Sequence, residues 1–111
     1  MELDEYQAEA KRTMNRTDLS YRDRMANIAL GLAGETGELV DYLKKVLFHG
    51  HKASAERIAD ECGDCLWYLS AIAQENGLSL EYIARKNIEK LRLRYPNGFS
   101  AEDSMNRKET R

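Results

Sequence analysis

Four acidic side chains fall into two short motifs, Glu35-x-x-Glu38 in "GETGE" and Glu61-x-x-Asp64 in "DECGD", with 22 residues between them. At about 100° per residue, Glu35 and Glu38 stand at roughly −80° and −140° from the centre of the apolar stripe on their own helix. Glu61 and Asp64 fall at about the same two offsets on theirs. Equal offsets of one sign put both pairs on the same side of a hairpin only if the two helices run antiparallel. The heights agree, because Glu38 with Glu61 and Glu35 with Asp64 share one midpoint, at the His49–Gly50 step. Carboxylates gathered in this way raise one another's pKa unless a cation neutralises them. Oxygen-only ligands select a hard divalent ion, Mg²⁺ first, with Mn²⁺ as a substitute. In a chain with 19 acidic residues each acid alone reads as a solvated helix position. The four together read as a metal site.

Other metal chemistry fits less well. A di-iron carboxylate bundle needs a histidine three residues after a glutamate on two helices, and neither Glu35 nor Glu61 is followed in that way. The two histidines, His49 and His51 in "HGH", lack the separation of two ligands from one helix turn. Cys62 and Cys65 in "ECGDC" lie on one helix face, away from the strand-to-helix junction where a redox pair of this spacing works, and read as small buried thiols.

The elements that carry the acids are helical. Tyr6, Gln7, Ala10 and Thr13 give a first helix over about Leu3 to Met14, broken by "NRTDLSYRD". A second starts at Ser20 or Asp23, carries Met25, Ile28, Ala29, Leu32, Leu39, Val40, Leu43, Val46 and Leu47 on one stripe, and stops at the glycine of "HGH". Ser54 can cap a third, from about Ala55 to Asn76, that closes at Gly77. A fourth opens at Ser79 and ends before Pro96 and Gly98, and the tail from about residue 100 to 111 is polar and expected either to fray or to dock only loosely. Strand signals and internal repeats are absent. The expectation is an all-α chain, one domain over 1–111, built as an antiparallel four-helix bundle with short connections.

Lys86, Lys90 and Arg94 stand at four-residue steps on the fourth helix, a row that is either a solvated face or a set of donors for oxygens a metal leaves uncovered. Gly31, Gly34 and Gly37, with Gly63 on the facing helix, each cost about 1 kcal/mol relative to alanine in a helix. Close helix approach, with room for a ligand, is the compensating reason expected of them. The net charge is −2, charged residues make up 32% and apolar residues 42%. No basic stripe of the kind that tracks nucleic acid is evident except near Lys86 to Arg94, and no apolar run reaches the roughly 18 residues of a membrane span, so a cytoplasmic location without nucleic-acid or membrane partners is expected. A chain of 111 residues buries a thin core, which favours oligomerisation.

The ordered set "YQAEAKRT", "GETGE", "DECGD" and "KNIEKLRLRYPNGFS" resembles the MazG-like branch of the all-α nucleoside triphosphate pyrophosphohydrolase superfamily over nearly the whole chain. The resemblance implies Mg²⁺-dependent cleavage of a nucleoside triphosphate between its α and β phosphorus atoms, giving the monophosphate and pyrophosphate. It implies metal ligation by Glu35, Glu38, Glu61 and Asp64, and phosphate contacts from Lys90 and Arg94, with Lys86 and Asn87 one turn earlier. Gln7 and Arg12 of the first helix would lie near the nucleotide. Trp67 and Tyr68 would either stack on a base or serve as core or subunit-contact aromatics. Glu38 is the expected general base, and homodimers or homotetramers are the expected assembly. Alternatives are an enzyme of narrower specificity, for deoxyuridine or deoxycytidine triphosphate or for phosphoribosyl-ATP, and a catalytically silent helical module that would have no need of clustered acids.

Overall fold

In the computed structural model, which describes residues 1–14 and 17–107, serines open four of the five helices. The Ser20 side chain accepts a hydrogen bond from the Asp23 amide and starts α2 (Tyr21–Phe48). Ser54 does the same for α3 (Ala55–Glu75) and Ser79 for α4 (Leu80–Arg94). Each cap satisfies one of the amides that a helix start leaves without a partner.

The first helix, α1 (Leu3–Lys11), is shorter than its periodicity suggests. The amides of Arg12, Thr13 and Met14 each reach back only three residues, to Glu9, Ala10 and Lys11, which tightens the last turn and takes Thr13 out of the helix. Residues 15 and 16 of the connection lie outside the described residues, as do 108–111 of the tail. The part of the tail that is described is not uniformly frayed. Ser100 accepts from the Asp103 amide at 2.9 Å and caps a fifth, short helix, α5 (Ala101–Met105).

Helices α2 and α3 form the antiparallel hairpin that the acid spacing requires. Their contacts run in opposite chain directions: Tyr21 with Asn76, Arg24 with Glu75, Thr36 with Cys65, and Tyr42 with Ser54. The turn is held by glycine and tyrosine. Gly50 adopts φ +75°, which lets the amides of both His49 and His51 fold back onto the Lys45 carbonyl. The buried Tyr42 hydroxyl donates to the Lys52 carbonyl and accepts from the Ser54 amide.

Helix α1 packs on α3, and α4 rests mainly against α1. One side chain ties these three together. The buried Gln7 amide donates to Gln74 Oε1 and to the Leu78 carbonyl, and its own oxygen accepts from the Leu80 amide at 2.8 Å. Its polar atoms are thus committed to holding the helices together. No strand forms among the described residues, in agreement with an all-α chain, and no helix is long and apolar enough to cross a membrane.

Candidate metal centre

Glu35, Glu38 and Glu61 each offer a carboxylate oxygen, and these oxygens lie within 4.8 Å of one another. The hairpin sets this up: two acids one turn apart on α2 meet one from α3. Glu61 is 7% exposed; its Oε1 accepts from Arg57 Nε at 3.2 Å, while its Oε2 is buried with no hydrogen-bond partner among the described residues. Glu35 Oε2 is orphaned in the same way. Lost solvation, then the charges of Glu38 and Asp64, a contact with the Glu38 carboxyl and the Glu61 charge push the Glu35 carboxyl above its ordinary value. Buried oxygens without a donor are costly, and an all-carboxylate set is what a hard divalent cation takes. The residues present therefore fit such an ion.

Asp64 is not one of the three converging acids. It acts on Glu35 electrostatically and shares with it a cleft of about 390 Å³ lined also by Thr13, Trp67 and Tyr68. Tyr6 faces the same charge: burial first, then Asp64, raises its phenol pKa. Thr13 was no site candidate from sequence, yet its hydroxyl donates to the Ala10 carbonyl and accepts from Trp67 Nε1 at 2.8 Å, fixing the indole on the cleft wall. The indole in turn meets the Tyr68 ring edge-on, with centroids 4.9 Å apart. Beyond these shared walls a second cavity of about 90 Å³ runs on between Met14, Asn27, Ile28 and Ala71, bordered by the Arg24–Glu75 ion pair.

The glycines divide. A Cβ on Gly31 would collide with the Tyr68 ring, so that glycine does serve a close approach. Gly34, Gly37 and Gly63 have open space around them, and helix contact within this chain is not their reason. Cys62 and Cys65 are free thiols, but Cys62 is exposed rather than buried, because the outer face of α3 carries no covering element.

The basic candidates are spread out. Arg12 is exposed and paired with Glu9 at 3.0 Å. Lys86 and Asn87 are exposed on α4 and Lys90 is half-buried; none of the three is among the residues that line the acid cleft. Arg94 has its Nε and one terminal nitrogen buried without a partner among the described residues. Nearer the acids, sequence reasoning missed Arg57, although its place one turn before Glu61 is a readable i,i+4 pairing.

A model of the MazG nucleotide pyrophosphohydrolase domain matches residues 24–99, a span that holds both acidic motifs and α4. The "Gene 37 protein" of Mycobacterium phage L5 is 27% identical over 114 residues, covering 96% of this chain and all of that protein. No solved structure matches. With the family model spanning well over half of the sequence and the acids converging across its hairpin, this chain belongs to the MazG nucleotide pyrophosphohydrolase domain family.

Proposed function

We propose that this protein hydrolyses nucleoside or deoxynucleoside triphosphates between the α and β phosphates, releasing the monophosphate and pyrophosphate with Mg²⁺ as cofactor and Mn²⁺ as a substitute. The observation that carries this reading is the pair of buried oxygens, one on Glu35 and one on Glu61, that lie beside Glu38 without a partner among the described residues. A silent interaction module has no use for them.

Glu35, Glu38 and Glu61 would hold the cation, with Asp64 completing the set from the cleft. When bound, the ion offsets charge on the phosphate oxygens and makes a nearby water easier to deprotonate. Glu38, the exposed member of the three, accepts the proton of the attacking water as general base. Phosphoryl chemistry of this kind rests on positioning and charge stabilisation, so neither thiol nor imidazole is needed as a nucleophile. Trp67 and Tyr68 offer a stacking wall for the nucleobase next to the acids. Lys86, Asn87, Lys90 and Arg94, with Arg12 released from its exposed pair, are further phosphate contacts; the unpaired nitrogens of Arg94 favour an anionic partner. Pool house-cleaning in the cytoplasm, without nucleic-acid or membrane partners, is the setting this chemistry suits.

Self-association belongs to the same proposal. Ala26, Leu30, Ala33, Gly37, Val40 and Leu47 all lie on one exposed face of α2 at alternating three- and four-residue steps, with only Lys44 interrupting, the seam by which two helices pack.

A panel of normal and modified triphosphates, scored for monophosphate and pyrophosphate release with and without Mg²⁺, tests the activity. Glu38→Ala and Asp64→Ala should each lower turnover at least a hundredfold. Full activity in Glu38→Ala overturns its role, and no activity of the wild type on any triphosphate favours the silent module.

A further inference from the structure

A third cavity, of about 190 Å³, opens toward the α2–α3 turn, and cations share its walls with acids: Glu38, Asp41 and Tyr42 line it together with Lys45, His51 and Arg57. Glu38 forms its inner edge. Lys45 comes from α2, His51 from the turn and Arg57 from the first turn of α3. Helical side chains lean toward the helix N-terminus, so Lys45 reaches back along α2 toward Glu38 and meets Asp41 at 3.0 Å. Arg57 is fixed from two directions: its Nε holds Glu61 Oε1 at 3.2 Å, and its guanidinium lies 4.8 Å over the Tyr42 ring. This leaves its two terminal nitrogens unpaired among the described residues. The His51 ring makes no hydrogen bond there either.

In the chain as described, Lys45 and Arg57 are balanced by Asp41, Glu38 and Glu61. A cation shared by Glu35, Glu38 and Glu61 would take up the charge of the last two, leaving Asp41 as the one acid of the cavity against Lys45 and Arg57, with Lys44 also on Asp41 at 3.4 Å, and so a net positive bay beside the metal. The aromatic side differs: it has Thr13, Trp67, Tyr68 and acids, and its one cation, Arg24, is tied to Glu75. With the acids so occupied, the order of surfaces along the hairpin is aromatic, metal-binding, net positive. A nucleotide has the same sequence of parts: flat base, bridging phosphate oxygens, terminal anions.

We infer that the Lys45, His51 and Arg57 cavity binds the leaving pyrophosphate, so that the substrate lies with its base on the Trp67 and Tyr68 wall and its β and γ phosphates toward the α2–α3 turn. This rests on the proposed hydrolysis and adds a direction to it. The guanidinium supplies a planar fork for phosphate oxygens, and the lysine a point charge.

The test measures binding of inorganic pyrophosphate and, separately, of the monophosphate product by calorimetry with Mg²⁺ present. Wild type is compared with Lys45→Ala, His51→Ala and the double variant. Arg57 is left intact because it holds Glu61. Each single change should weaken pyrophosphate about three- to tenfold, as loss of one charged contact does, the double change more, and monophosphate binding should stay within about twofold. Lys45→Arg should keep most of the pyrophosphate affinity. Unchanged pyrophosphate affinity in the double variant overturns the subsite, and selective loss of monophosphate binding overturns the direction. Hydrolysis by the wild type with unaltered pyrophosphate binding in the variants sinks this inference alone. Absence of hydrolysis together with selective loss of pyrophosphate binding sinks the activity and supports the subsite.

Discussion

Glu35 feels the charges of Glu38, Asp64 and Glu61 on a single carboxyl. Its carboxyl is raised by lost solvation and then by the acids around it, so the folded, metal-free protein holds the proton more tightly than the unfolded chain does. The stability this contributes is fully present below the ordinary carboxylate pKa and is lost as pH rises through the raised folded value. In chelator, the denaturation midpoint should therefore fall as pH rises through that window. Glu35→Gln should flatten the fall, and Mg²⁺ should reverse it in wild type by binding the folded state alone. A chelated wild type whose midpoint is flat across the window would show that the carboxylates do not strain one another. The type and spacing of the acids were visible in the sequence because helix geometry is regular enough to project. The orphaned oxygens were not, because they depend on rotamers, whereas the Arg57 hold on Glu61 was legible as an i,i+4 spacing and was passed over.

At the scale of elements, the serine caps and the glycine stops mark helix boundaries to within a residue or two for α2, α3 and α4. The end of α3 shows why: with Gly77 at φ +65°, the Leu78 amide bonds back to the Ala73 carbonyl and the Gly77 amide to that of Gln74, a Schellman closure that glycine favours. The early end of α1 and the short α5 were less legible, since a three-residue backbone turn leaves no pattern in an apolar stripe. The glycines inside α2 were legible as anomalies but not as to cause. Gly31→Ala inserts a methyl into the Tyr68 ring, an overpacking of about 1–3 kcal/mol set against about 1 kcal/mol of helix propensity; it should lower the thermal midpoint and loosen the cleft wall. Gly34→Ala meets no atom within this chain and should leave that midpoint unchanged or raised. A Gly31→Ala variant as stable as wild type would mean that Tyr68 moves aside freely.

The whole molecule is open for its size. Its radius of gyration is 17.1 Å, against about 13 Å for a compact chain of this length. Leu30, Val40 and Leu47 are 74%, 58% and 72% exposed on one face of α2. Light scattering after size exclusion should give a mass above one chain for the wild type, and Leu30→Asp with Leu47→Asp should shift it toward the monomer. A wild type that runs as a monomer would remove the reason for that apolar seam. Chain length raises the expectation of self-association but names no face for it: Val40 and Leu47 read from sequence as part of the packed stripe, yet both are exposed, because α2 is apolar on two sides and only the hairpin shows which one α3 takes. Finally, the hydrogen bond that ties Trp67 to Thr13 has a practical consequence. Trp67 is the chain's only tryptophan, so the protein's ultraviolet emission comes from a fluorophore mounted on the cleft wall, and its colour and intensity should report each occupant that arrives or departs without any added label.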